Sequence, residues 1–561
     1  MSKNLLLKAT ALSLSLLALP LMAQDVYHVN INNGNDLNDG LKWSTAFKNI
    51  QPAIDAAKKG DTIKVARGKY HPTEKISAFL GGDVNPAQPT EDRDRSFLLK
   101  KDLHLYGGFP ANATDATTMS NRDWEENKTI LSGDFNNDDG NSFGNTDENA
   151  HHVIVMLNAS SDMRIDGFYI TGGNAEKEGA SNSVYVDNVL VEHTKGGGIY
   201  AMTSLSSFID SSPVLSNLVI SNNKAKLEGG GIYNYSNGGN ASPTLTNVTI
   251  VNNFAGETGG GFLNSGLTNS NPKLTNVDIS GNEAKEGGGF ACIAEEGSAP
   301  IFENVLISGN KANMSAGVYI FAMTTSASPV IINTTICGNK ATSNDGGNGI
   351  GGILIYSTGD AKPVIRNSVI WGNKGKAKEI DNIYVGSKMG SEYPVYTYSM
   401  IEGMDLGETN LLGSTDPKFV NHVDADFAPT FSDKGDYRLT TTSPLVNKGN
   451  NDIVTSLFDL DGQNRIYQDI VDIGAFELQR NLDVTNNETI YEDNSIWSYQ
   501  GNLYVKASSK AVTVHVYSLS GILIKQINNI GEGTHTIALP EGLYIVKLNT
   551  GETKKVIIRK N

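Results

Sequence analysis

Between Pro213 and Gly375 one short pattern is repeated six times, and that repetition narrows the possible folds more than any other feature of the chain. Each copy opens at a proline: Pro213, Pro243, Pro272, Pro300, Pro329 and Pro363. The fourth residue on is always Asn: Asn217, Asn247, Asn276, Asn304, Asn333 and Asn367. The seventh is always Ile (Ile220, Ile250, Ile279, Ile307, Ile336, Ile370). The tenth is Asn again: Asn223, Asn253, Asn282, Asn310, Asn339 and Asn373. A period of roughly 30 residues marks a stacked solenoid in which each repeat packs only on its neighbours.

Within the copy from Pro243 to Asn271, Leu245, Val248 and Ile250 are apolar with polar Thr between them, the alternation of a strand. The odd step across Asn247 is a corner, because Asn tolerates left-handed backbone and bonds local groups. Asn253 marks a second corner, and Gly259, Gly260 and Gly261 a third, followed by an inward Phe262. Triplet glycines and period-two alternation oppose a helix. Three strands and three bends describe one rung of a parallel β-helix, about 4.8 Å thick. Stacking turns equivalent positions into columns, and both Asn columns become amide ladders along the axis.

These residues resemble the right-handed parallel β-helix proteins, and the Gly-Gly-Gly-Ile-Tyr usage is similar to polymorphic outer-membrane repeats. Residues 33–70 resemble the N-terminal unit of bacterial surface β-helices, with a short helix from Ile50 to Lys59 expected to cap the first rung. Asp459 to Arg465 and Val471 to Glu477 resemble the closing motif called a choice-of-anchor Q domain. The expected architecture is all-β: residues 24–480 form the β-helix with its cap, and a small β-sandwich follows. A fold of this kind hosts many functions and names none.

Residues 1–23 read as a signal peptide, with Lys3 and Lys8 before an apolar run and Leu21-Met-Ala23 as the cleavage site. No later stretch is long and apolar enough to be expected as a transmembrane segment. Loss of Lys3 and Lys8 takes the formal charge from −16 to −18, which argues against nucleic acid or anionic lipid as partners. Cys292 and Cys337 fall at different offsets of different repeats and are expected as free thiols. Beyond a polar linker, 481–494, the charge changes sign and hairpin turns replace the repeat. Residues 495–561 resemble the C-terminal sorting domain of type IX secretion cargo. That resemblance implies recognition by the type IX machinery, export across the outer membrane, and residence at the cell surface or outside the cell.

Candidate chemistry is sparse. Asp134, Asn136 and Asp138 alternate as in a calcium loop, but Gly140 arrives one place late and Asn145 stands where a bidentate Glu belongs. Calcium is the one cofactor this spacing suggests. Tyr200, Tyr233 and Tyr319 each follow an inward residue and are expected outside as a sugar-stacking platform. Lys224, Lys311, Lys340 and Lys374 form a row in which a polysaccharide lyase could place its base. His151 and His152 read as edge residues. The expected function is an adhesive or glycan-binding surface β-helix whose partner is a polysaccharide or host matrix. A polysaccharide lyase or glycoside hydrolase on the same fold is the alternative, and a purely structural surface-layer role is a third.

Overall fold

The repeat positions stack in register. Val214–Ser221, Thr244–Val251, Lys273–Ser280 and Ile301–Ser308 pair in parallel, setting Ile220, Ile250, Ile279 and Ile307 side by side. The same register continues into Ile336 and Ile370 and makes one fully buried Ile column. The computed structural model describes residues 24–76, 91–177, 182–187, 189–204, 209–342, 349–359, 361–375, 382–387, 394–425, 435–467, 469–479, 495–499, 502–507, 512–518, 522–531, 533–549 and 553–558. The expected signal peptide and linker lie outside these residues. The chain divides into two units, 1–480 and 481–561.

The first unit is a right-handed parallel β-helix. A sixteen-stranded sheet runs its length, starting at Val26–Val29 and Thr62–Ala66. A nine-stranded sheet, from Phe97–Leu99 to Ile383–Ser387, forms a second wall, and two-residue strands such as Lys224–Ala225 and Phe254–Ala255 form a third. The bore is filled by aliphatic columns and by the edge-to-face rings of Phe262, Phe290 and Phe302, with centroids 5.4 and 5.1 Å apart. The capping helix is shorter than expected. It spans Ile50–Ala56 and ends where Ala57 turns extended (φ −67°, ψ 150°), burying Ile50, Ala53 and Ile54. Those three close the first rung's apolar end.

The two Asn columns differ in kind. Residues four after Pro all have left-handed backbone, φ from +46° at Asn333 to +55° at Asn276. In Val214–Ser221 and its next three neighbours this residue bends one eight-residue strand without breaking it. Its amides bond rung to rung: Asn247 to Asn217 at 3.1 Å, Asn276 to Asn247 at 3.2 Å, Asn304 to Asn276 at 3.0 Å. Residues ten after Pro are buried, and the left-handed residue there is their predecessor: Asn222, Asn252, Gly281, Gly309, Gly338 or Gly372. From Asn253 on, each of these buried amides accepts from the main-chain N–H of the preceding rung's Asn and donates to an Ile carbonyl, as Asn310 does from Asn282 (2.9 Å) and to Ile279 (2.9 Å), while Asn223 accepts from Gly173 N–H at 3.0 Å. Unbroken from Asn223 to Asn373, this ladder satisfies polar backbone where the strand ladder is interrupted.

The segment after the last rung folds back over the long sheet. Tyr437, Ala475 and Phe476 cover Leu306 and Cys337, while Leu439, Leu445 and Ile473 cover Val369 and Met400. The first Asn ladder ends beneath it: Asn304 also donates to Phe458 O (2.7 Å), and Asn367 donates to Asn450 O (3.0 Å). This segment has little regular secondary structure, so its acidic motif residues serve as backbone partners. Asp459 accepts from Gln463 and Glu477 N–H, Asp472 from Asn447 and Leu478, and Glu477 from Tyr467 and Asp472. Buried Arg465 sits among them, its guanidinium 3.8 Å from Glu477 and donating to Asp472 O at 2.7 Å.

The second unit is a β-sandwich of two antiparallel sheets. One joins Ser495–Tyr499, Asn502–Ala507 and Gly533–Ala538. The other joins Leu523–Ile530, Val512–Ser518, Gly542–Leu548 and Thr553–Ile558. Alternate residues, among them Val512, Val514 and Val516 of one strand and Val546 and Leu548 of its neighbour, make a core of its own. Among the described residues no helix is long and apolar enough to cross a membrane.

Candidate functional site

Tyr200, Tyr233 and Tyr319 do lie outside the bore, yet the expected open platform does not form. A hairpin of Ser183–Val186 and Val189–Glu192 lies over them. Val184, Val186, Val189 and Val191 pack on Tyr200 (0% exposed) and Tyr233 (3%), with Tyr319 at the margin. Tyr200 Oη donates to Leu190 O at 2.9 Å, which ties the ring to the hairpin. Alternation gave the side of the sheet correctly, but the hairpin precedes the first copy at Pro213 and leaves no trace in the period. His151 and His152 are likewise interior rather than edge residues. Burial pushes His151 down to about 4 and His152 to about 3, so both rings are neutral at pH 7.

The acidic loop gathers a different set from the one its spacing suggests. Asp134, Asp139 and Glu148 each bring an oxygen within 4.8 Å of the others, so of the three residues Asp134, Asn136 and Asp138 only Asp134 belongs to this carboxylate group. Asp138 instead donates its N–H to Asp134 Oδ1 at 3.2 Å, because left-handed Asn137 folds the loop back on itself. Burial, then the nearby Asp134 and Glu148 charges, raise Asp139 to about 6. Three convergent carboxylates suit a hard cation such as calcium. Glu148 lies fourteen residues from Asp134, beyond any loop motif.

A cleft of about 690 Å³ opens on the outer face of the long sheet. Asn217, Asn247 and Asn276 form its floor, with Thr249 and Asp278 beside them. Trp124 and Glu125 border it, and the folded-back segment supplies Asp436, Tyr437, Arg438 and Asp461. Arg438 Nε donates to Asp436 at 2.8 Å, so the one cation named here is matched by a carboxylate and the lining stays acidic. A left-handed Asn at each corner turns its amide outward, which is why the repeat yields a polar floor. Nothing in the repeat shows that a distant segment becomes the wall.

The lysine row aligns as expected, through bridges from Lys224 to Phe254, Glu283, Lys311, Lys340 and Lys374. It lies apart from this cleft. Lys224 is paired with Glu176 at 2.8 Å and Lys374 with Asp424 at 2.7 Å. Lys311 and Lys340 line a separate, smaller depression of about 210 Å³ with Glu283. Both cysteines are free and buried, Cys292 in the bore and Cys337 under the folded-back segment.

Residues 499–559 match the family model of the secretion system C-terminal sorting domain. The tail is a type IX sorting domain, which directs export across the outer membrane to the cell surface or extracellular space. No curated protein matches the chain. Among solved structures, pectate lyase Pel9A is 13% identical with a TM-score of 0.40, covering 81% of this chain and 96% of its own. XylC in complex with xylose is 11% identical with a TM-score of 0.26, covering 71% of this chain and 87% of its own.

Proposed function

Taking export by the type IX route as the premise, we propose that the protein is a surface β-helix that binds an extended, neutral polysaccharide in the cleft over the first Asn ladder. The cleft's lining carries this reading. It combines side-chain amides at the repeat of the rungs, carboxylates and a Trp face, the groups that bind hydroxyls and sugar rings. Glu125, Asp278, Asp436 and Asp461 outnumber Arg438, and that balance repels a uronate chain. The acidic trio at Asp134, Asp139 and Glu148 would take calcium as a structural ion beside this function.

Several carboxylates in one cleft also leave room for glycoside hydrolysis, which needs an acid and a base or nucleophile. One experiment separates the two. The full chain is mixed with neutral and uronate polysaccharides, with and without calcium, while bound glycan and new reducing ends are followed. Saturable binding of neutral chains without product, weakened about ten-fold by Trp124→Ala, is expected. New reducing ends would replace binding by hydrolysis. Preference for uronates, or binding indifferent to Trp124, would remove the cleft from the account.

A further inference from the structure

Four hydrogen-bond acceptors converge beside the Tyr200 hairpin, and hydrogen bonds behind them fix that arrangement. His152 Nδ1 lies 2.9 Å from Gly196 O, so that nitrogen carries the proton and Nε2 is left an acceptor. His193 Nδ1, 3.2 Å from His152 Nε2, must therefore donate, leaving the lone pair of His193 at Nε2. His151 Nδ1 faces Asn174 O at 3.3 Å, and the same logic leaves its lone pair at Nε2. Both lone pairs point at carboxylates. His193 Nε2 is 3.4 Å from Asp94 Oδ1, and His151 Nε2 is 3.7 Å from Asp94 Oδ1 and 2.7 Å from Glu91 Oε1.

Asp94, His151 and His193 are essentially inaccessible, with side chains 1%, 0% and 0% exposed. Asp94 Oδ1 and His193 Nε2 have no hydrogen-bond partner among the described residues. Asp94 is held in place through its other oxygen, which accepts from Glu91 N–H at 3.0 Å. One shared proton can reconcile one pair of facing acceptors, but not four acceptors around one point. Lys177 serves only the outermost acceptor: its Nζ donates to Glu91 Oε1 at 3.2 Å but sits 4.0 Å from Asp94, beyond hydrogen-bond reach of the buried three.

We propose that Asp94, His151 and His193, with Glu91 as the outermost ligand, bind one divalent transition-metal ion, zinc by preference. Two imidazoles and two carboxylates are a tetrahedral zinc set, too rich in nitrogen for calcium or magnesium. Zinc bonds of about 2.0–2.1 Å place tetrahedral ligand atoms about 3.4 Å apart. The 3.4 and 3.7 Å separations around Asp94 Oδ1 match that spacing. Glu91, 42% exposed, has the freedom to move out from its 2.7 Å contact with His151. His152 and Asn174 O supply the outer hydrogen bonds that metal-bound imidazoles require. The ion would clamp three separate stretches: the turn Asp92–Asp94, the entry to Ile154–Leu157, and the end of the hairpin after Glu192.

The test is metal content and zinc titration of the full chain, produced without a histidine tag, with cobalt substitution to report geometry. One zinc per chain and a tetrahedral cobalt spectrum are expected. Asp94→Asn is expected to abolish uptake while leaving the fold intact, since its amide can donate to the His193 lone pair. Glu91→Gln is the second variant, expected to weaken zinc about ten-fold or more. Asp139→Asn, in the separate acidic trio, should leave zinc content unchanged. The proposal is overturned if the folded chain takes up no zinc, if calcium displaces zinc at equal concentration, or if uptake survives Asp94→Asn.

Discussion

The two asparagines of each rung are the same letter with different tasks, and substitutions should separate them. At Asn247 the task is backbone: φ is +54° and the side chain is exposed. Asn247→Gly should stay within about 0.5 kcal/mol of the parent, while Asn247→Val should cost about 1–2 kcal/mol in strain. At Asn310 the task is the amide. Asn310→Leu orphans the N–H of Asn282 and the carbonyl of Ile279, for a cost of about 2–4 kcal/mol. Urea unfolding of the three variants checks this ordering, and Asn310→Leu proving no worse than Asn247→Val would refute the division of labour. The sequence shows both columns but hides the division, whose only trace is the Asn or Gly preceding each buried Asn. The cysteines are a second residue-scale case. Burial pushes the Cys292 thiol up to about 12 and Cys337 well above its ordinary value, so neither is a thiolate at pH 8. Iodoacetamide should label neither in the native chain and both in denaturant; rapid native labelling would contradict the burial.

At the scale of elements, what repeats was legible and what interrupts the repeats was not. Rungs, columns and the glycine bends follow from a pattern that each copy restates. The hairpin over Tyr200 and the folded-back segment occur once, and alternation cannot say what a distant segment will cover. The folded-back segment carries its own pH dependence. Burial first, and the Asp472 charge second, raise Glu477 from 4.5 to about 8; burial also raises Asp459 and Asp472. Carboxyls raised in the fold favour it most when protonated. Their stabilisation is therefore complete below the unfolded values and is lost as pH climbs through the folded ones, for Glu477 between about 4.5 and 8. Amide exchange over 459–478, corrected for intrinsic rates, should be slower at pH 5 than at pH 8.5. Glu477→Gln should flatten that difference, and equal protection at both pH values in the parent would show that Glu477 stays ionised throughout.

For the whole molecule, the decisive fact is that two cores are built from two grammars. Among the described residues, the bore of the β-helix draws on those between Tyr27 and Ile401 and the sandwich on those between Ile496 and Ile558. A solenoid gains its stability rung by rung from its neighbours, so losing a separate domain removes none of those terms. Its open ends are a different matter, and here both are covered within the first unit: Ile50–Ala56 lies over the first rung, and Tyr396, Met404 and Leu406 pack against the bore after the last one. Deleting residues 481–561 should accordingly leave the unfolding temperature of the β-helix unchanged within about 2 °C. The same deletion removes the sorting domain at 499–559, so the truncated chain should accumulate folded in the periplasm rather than at the surface. Fractionation with calorimetry reads both consequences in one strain. A truncated chain that still reached the surface would place the export signal within the rungs, and one that unfolded early would mean that the β-helix draws on the tail for its stability.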